Sequence, residues 1–325
     1  MKIKLYRHIF YYFALMLLAS CNNVKDLQPG GPVEIPEAVA SVLTNAYPNA
    51  KDISLKTVTT DKLWEARFSS DGLLYYVALN TNRVLRAYKL LGATVPDSLQ
   101  NTFSTLSIKG GTFSDFRQED FAMDLPYYTA KYVLKGTPYN VQWQPSSMEK
   151  TPSGKHIYYL VVRPYFKFEY YIFSGEHELG TIVPPAINNY IATLNLNLYQ
   201  ATGYVSDANN VSHFIASNTM ANSQVNLFFD ESNNLAVDYS APNNQVFSSL
   251  SSFPTSVAKF VDNYEFVSRM QFNNGVEKKT VATAPFVMFF NREITQQYSD
   301  NETLQIWLDK NGSMVDFLYT VGLYI

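Results

Sequence analysis

Ser256-Val257-Ala258-Lys259 and Ser299-Asp300-Asn301 follow the order of a serine-acylating set, in which a hydroxyl beside a lysine is completed by a Lys-Thr-Gly strand. A second Ser-x-x-Lys runs from Ser147 to Lys150, but Lys-Thr-Gly occurs nowhere. Ser256 and Lys259 also fall on the polar side of a helical pattern whose apolar side is Val257, Phe260, Val261 and Tyr264, as on a solvated face. His156, His177 and His213 are well separated and have no cysteine nearby, which is poor spacing for zinc. Asp230-x-Ser232-x-Asn234 and Asp309-x-Asn311-x-Ser313 imitate the start of a calcium loop, yet Leu235 and Met314 stand where the loop needs Gly, and Ala241 and Thr320 where it needs Glu. Asx-rich turns account for both. No glycine-rich phosphate loop or nucleophile elbow is present. The expectation is a protein that is not an enzyme, with no metal and no cofactor.

Composition narrows the class further. With 46% hydrophobic and 15% aromatic residues the chain can bury a core, and with one cysteine it is no disulfide scaffold. A net charge of −3 offers no footprint for nucleic acid.

The lone cysteine has its own chemistry. Lys2, Lys4 and Arg7 precede an apolar run from Ile9 to Ala19, the pattern of a secretory leader, and too short for a comfortable transmembrane span. Leu18-Ala19-Ser20-Cys21 then resembles the lipobox of bacterial lipoproteins. The resemblance implies a signal peptide at 1–20, removed before Cys21, and acylation of the Cys21 thiol with diacylglycerol and of the new amino group with a fatty acid such as palmitate. At about 0.8 kcal/mol per buried methylene, two or three chains hold a polypeptide on a bilayer. Asn22 lacks the aspartate that signals inner-membrane retention in such proteins, so the outer membrane is the implied address. Residues 21–34, with Gly30-Gly31 and two prolines, read as a flexible tether.

Beyond the tether one start signal recurs: an apolar residue, Pro, then a short helical pattern. It opens at Ile35-Pro36, Val95-Pro96, Val183-Pro184 and Phe253-Pro254. Val39, Val42, Leu43 and Ala46 after the first, and Ile187, Tyr190, Ile191 and Leu194 after the third, trace one stripe on a helix of about three turns. Proline at the first helical position gives up only an amide without a partner. The units also close alike, on apolar runs joined by polar turns: Asn80-Thr81-Asn82, residues 174–178, residues 230–234 and Asp309-Lys310-Asn311-Gly312. The second closing hairpin joins Tyr170–Phe173 to Leu179–Val183. The predicted class is α+β, in tandem units of one helix packed on a small antiparallel sheet of about four strands. The units span 35–92, 93–183 with an insertion, 184–243 and 244–325.

Residues Ile35 to Gly92 carry a further likeness. The Pro-led helix, its exit Ala46-Tyr47-Pro48-Asn49-Ala50, the strand Trp64-Glu65-Ala66-Arg67-Phe68 and the closing hairpin resemble the PepSY-like family that includes the β-lactamase inhibitor proteins. The other units match in order of elements only. The resemblance implies a binding or inhibitory module outside the cytoplasm, with no catalytic residues to carry over and a secreted or periplasmic protein as partner.

Aromatic side chains are the remaining candidates. Alternation puts Phe166, Phe168, Tyr170 and Ile172 on one strand face, a core face, and Tyr165, Lys167, Glu169 and Tyr171 on the other. With Trp143 nearby, Tyr165 and Tyr171 are the candidate binding residues, for protein or for sugar, since tyrosine gives contact area and a hydroxyl at low entropic cost. The expected function is therefore a membrane-anchored binding or inhibitor-like lipoprotein. Its alternatives are a surface glycan-binding lipoprotein and a secreted hydrolase of unknown type.

Overall fold

A run such as Tyr139-Asn-Val-Gln-Trp-Gln144 alternates apolar and polar with period two, and a strand so patterned must bury one face. In a computed structural model, which describes residues 35–59, 61–120, 126–150, 156–173, 183–194, 196–205, 210–218, 223–229, 233–238, 245–278, 283–294 and 301–324, such strands dominate. The chain divides at Pro36, and all the described helices and strands belong to the unit Glu37–Ile325. Cys21, its lipobox and the tether lie outside the described residues. Among the described residues no helix is long and apolar enough to cross a membrane.

The strands are β1 (Lys51–Thr59), β2 (Leu63–Ser70), β3 (Leu73–Leu79), β4 (Val84–Gly92), β5 (Thr112–Glu119), β6 (Tyr128–Leu134), β7 (Thr137–Lys150), β8 (His156–Pro164) and β9 (Phe168–Phe173). Then come β10 (Asn197–Val205), β11 (Asn210–Asn218), β12 (Ser223–Phe229), β13 (Leu235–Asp238), β14 (Gln245–Phe247), β15 (Gln271–Glu277), β16 (Phe286–Arg292), β17 (Glu302–Leu308) and β18 (Met314–Tyr324). They do not form four small sheets, each backed by its own helix, and the predicted α+β arrangement is corrected accordingly. One 13-stranded antiparallel sheet runs β1-β2-β3-β4-β5-β6-β7-β8-β18-β17-β16-β15-β14, and a five-stranded sheet runs β13-β12-β11-β10-β9. The physical reason is edge pairing: a four-stranded sheet exposes two rows of unpaired amides and carbonyls, and here β4 joins β5 and β8 joins β18. Among the described strands, β1 and β14 are the edges of the large sheet. Tyr170–Phe173 belongs to β9, which pairs with β10 in the small sheet, while the expected turn at 174–178 and residues 179–182 of its expected partner lie outside the described residues.

Helical segments are shorter than the stripes suggest. Among the described residues only α1 (Glu37–Ala46) and α3 (Pro185–Thr193) reach two turns or more. After Val95-Pro96 there is one turn, α2 (Asp97–Gln100), and a 3₁₀ turn. After Phe253-Pro254 come three single turns, α4 (Thr255–Ala258), α5 (Phe260–Asn263) and α6 (Glu265–Ser268), broken where Tyr264 turns extended and Phe266 and Val267 then enter the core. Pro96, Pro184 and Pro254 stand one place before the position expected for them, as N-caps with ψ 141–143°. Each accepts two amides of its first turn through its own carbonyl, Pro184 those of Ile187 and Asn188.

The large sheet separates its faces by register. Val141, Val162, Tyr319, Leu304, Phe290 and Phe272 are successive partners across six strands, on the face covered by α2 and α4–α6. The opposite face carries Glu65, Arg86, Glu119, Thr129 and Gln142, and the small sheet lies on it. Phe168, Tyr170 and Ile172 pack with Ile187 and Ile191 of α3 and with Ala78 and Tyr88 of the large sheet, while Phe228 of β12 meets Val287 and Trp307.

Gly203 of β10 sits opposite Tyr170, whose ring covers it: a Cβ there would lie 2.0 Å from the ring. Gly203→Ala should therefore cost about 1–3 kcal/mol by overpacking. Urea unfolding followed by circular dichroism checks this, and adding Tyr170→Leu should return part of the loss.

Candidate functional site

Two places gather polar groups: a buried seam between the sheets and an open cleft at the turns. The seam begins with Arg86, on the polar face of β4, whose side chain is 1% exposed. A cation there needs partners. Its Nη2 donates to Glu119 Oε2 at 2.7 Å, and its Nη1 lies 2.8 Å from Glu169 Oε1 as an ion pair outside hydrogen-bond alignment. The guanidinium also faces the rings of Tyr171 at 4.3 Å, Tyr88 at 5.1 Å and Tyr127 at 5.2 Å. Glu169 Oε1 accepts from Tyr171 Oη at 2.9 Å and from Gln142 Nε2 at 3.0 Å. Gln144 completes the chain by donating to Tyr127 Oη.

Burial governs the acid–base behaviour here. It pushes the hydroxyls of Tyr88, Tyr127 and Tyr171 well above their ordinary value, so they stay neutral donors. Burial, with the nearby Glu169 charge, also lifts Glu119 above the usual carboxylate range against the pull of Arg86. Next to this cluster, Lys167 Nζ donates to Glu65 Oε2 at 2.6 Å. Burial opposes ionisation of Glu65, but the hydrogen bonds from Lys167 and Arg67 prevail and hold its pKa below the ordinary value. Arg117 donates to the Lys167 carbonyl and pairs with Asp115. The seam thus joins strands of both sheets.

The binding residues expected from the sequence fall in or behind this seam. Tyr171 is the seam donor to Glu169, and Lys131 Nζ lies 4.7 Å from the ring of half-buried Tyr165. Trp143 is fully buried on the opposite face of the sheet, beside Phe103 and Phe113, and offers no surface to a ligand. Among the described residues the exposed large apolar side chains include one aromatic, Tyr159, the rest being aliphatic, such as Leu74 and Val246. The face expected to bind protein or sugar is therefore occupied by the protein itself. Arg86 of β4, Glu119 of β5 and Tyr127 just before β6, the other halves of the seam, are distant in sequence from β9, and no local pattern announces them.

The cleft, of about 830 Å³, opens where three turns meet. One wall is the β6–β7 turn, where Lys135 and Gly136 both adopt positive φ. Another is α5–α6 with Glu265 and Arg269, and a third is the β17–β18 turn with Gly312 at φ +82°. The Asp309 carboxylate accepts the amides of Asn311 and Ser313, so the calcium-like segment is an Asx turn. Its counterpart at 230–232 lies outside the described residues. Ser107 and Lys109 complete the cleft. Glu265 pairs with both Lys135 and Arg269, which hold its carboxyl below the ordinary range.

Ser256 also borders the cleft, where its hydroxyl donates to the Lys310 carbonyl at 3.1 Å. That bond takes the proton a nucleophile would give to a base. Ser299 and Asp300 lie outside the described residues, as does His177, and the side chains of His156 and His213 are likewise undescribed. Among the described residues no group of three or more His, Cys, Asp or Glu could hold a metal ion.

No family model matches the chain, and no curated protein matches it. Among solved structures it is similar to the crystal structure of a DUF2874 family protein from Bacteroides uniformis, at 17% identity and a TM-score of 0.29, over 38% of this chain and 86% of that one.

Proposed function

We propose that the protein is a lipid-anchored extracytoplasmic binding protein that carries out no reaction of its own, held on the outer membrane through acylated Cys21 and engaging its ligand at the cleft. The observation that carries this reading is the division of labour among its charged groups. Arg86, Glu119 and Glu169, and beside them Lys167 and Glu65, are committed to one another across the seam, and fully buried Glu302 is committed to Arg292, whereas the cleft presents solvent-facing cations on fixed turns. Within the cleft, the hydroxyl of Ser256, the candidate nucleophile, is bonded to a carbonyl rather than to a base. A rigid scaffold with polar groups set on turns is suited to holding a ligand. The tether and the lipobox-like segment would set this scaffold at a distance from the bilayer.

Expression of the full chain in a bacterium with two membranes tests the reading. Labelled palmitate should enter the wild-type chain, which should fractionate with the outer membrane, while Cys21→Ser should be unlabelled and soluble. Ester, amide and glycoside probes should pass unchanged. Turnover that disappears in Ser256→Ala would replace binding by hydrolysis.

A further inference from the structure

We propose that the cleft binds a small ligand through an oxyanion group, a phosphate or carboxylate, held between Arg269 and Lys109 over the floor formed by Ser107. The proposal rests on the reading of the cleft as the binding site and gives its ligand a chemical class. Lys109, Lys135 and Arg269 line the cleft against the single carboxylate of Glu265, so even with Glu265 ionised the lining is cationic. Lys109 is exposed and has no ion-pair partner among the described residues.

Ser107 is fully buried, and its hydroxyl has no hydrogen-bond partner among the described residues although it borders the cleft. A buried hydroxyl without a partner is costly and calls for an explanation, which a ligand acceptor would provide. Its backbone is fully engaged: the amide donates to Glu302 Oε2 at 3.0 Å, and the carbonyl accepts from Arg269 Nη1 at 2.8 Å. Glu302 is itself fully buried and paired with Arg292. Arg269 and Ser107 are thus fixed relative to each other before any ligand arrives, so little ordering is left for binding to do. A planar guanidinium, an ammonium and a hydroxyl together present the donors that a phosphate or carboxylate takes.

The test is isothermal titration of the full chain in detergent micelles, at low salt, with pyrophosphate and separately with citrate. Saturable binding of either, weakened by added sodium chloride, is the expected result. Binding of pyrophosphate alone assigns a phosphate ligand, citrate alone a carboxylate ligand, and both a site for oxyanions in general. Arg269→Gln should weaken binding roughly tenfold or more, as loss of a charge-assisted donor does. Because Arg269 also fixes Ser107, the deciding variant is Lys109→Gln, which breaks no ion pair among the described residues and should weaken binding about fivefold to tenfold. Ser107→Ala should reduce affinity by a smaller factor. Absence of saturable binding of both anions, or binding unchanged in Lys109→Gln, overturns the proposal. If neither anion binds while Cys21→Ser still leaves the membrane and no probe is turned over, the ligand class falls and the anchored, non-catalytic reading stands.

Discussion

Arg86→Met should destabilise the protein by roughly 3–5 kcal/mol, read as a lower urea midpoint by circular dichroism. Methionine keeps most of the stem volume, so the loss is electrostatic: Glu119 and Glu169 would face each other without the cation that both contact, the latter only 3% exposed. Removing one partner of a buried pair is costly because the remaining charge has no water to replace it, whereas removing all the charge costs far less. Arg86→Met combined with Glu119→Gln and Glu169→Gln should therefore recover most of the stability. Gln at 169 retains an oxygen to accept from Tyr171 and Gln142. Glu119→Gln alone separates the two effects through pH. Because the folded-state pKa of Glu119 is raised, its contribution is fully present below the ordinary carboxylate pKa and is lost as pH rises through the folded value. Relative to wild type, Glu119→Gln should accordingly be more favourable at about pH 7.5 than at about pH 4. A variant whose relative stability ignores pH would mean that Glu119 is not held in this way.

What the sequence makes legible follows from period. Alternation in Phe168–Ile172 separates Phe168, Tyr170 and Ile172, which pack in the apolar core, from Glu169 and Tyr171, which do not. The stripes on α1 and α3 bury Val39, Leu43, Ile187 and Ile191. Period does not say what covers the polar face of a strand. Arg86 of β4 and Glu169 of β9 are far apart in the chain, with β5 to β8 between them, and each alone looks solvated. Only the docking of β9 beside β4 turns two apparent surfaces into one buried seam. The same limit explains the sheet: hairpins are local, but the pairing of β8 with β18 joins strands far apart in sequence, and nothing in either strand announces it. In the cleft, Gly312 is legible as a turn residue, while the approach of Ser107 to Glu302 is not.

Trp143→Ala should cost roughly 3–5 kcal/mol, a core cavity rather than a lost contact surface. The residue is flanked by Gln142 and Gln144, and its neighbours two places away are Val141 and Pro145. With Gln142 and Gln144 committed to the seam, alternation sends Trp143 to the other face, where Phe103 lies 6.1 Å and Phe113 5.9 Å from its ring centre. Its register partners Tyr128 and Leu160 fill the sides. The indole N–H has no hydrogen-bond partner among the described residues, so the side chain contributes through apolar area and against a polar penalty. Trp143→Phe should then lose much less than Trp143→Ala, because it keeps a ring and discards the unsatisfied donor. Circular dichroism in urea separates the two, with unchanged slopes showing that the folded and unfolded surfaces are preserved. Equal losses for Phe and Ala would place the value of Trp143 in its nitrogen and contradict a core role. Trp64 and Trp307 are also nearly fully buried, the latter between the sheets beside Phe228, so all three tryptophans build the interior and none a binding face.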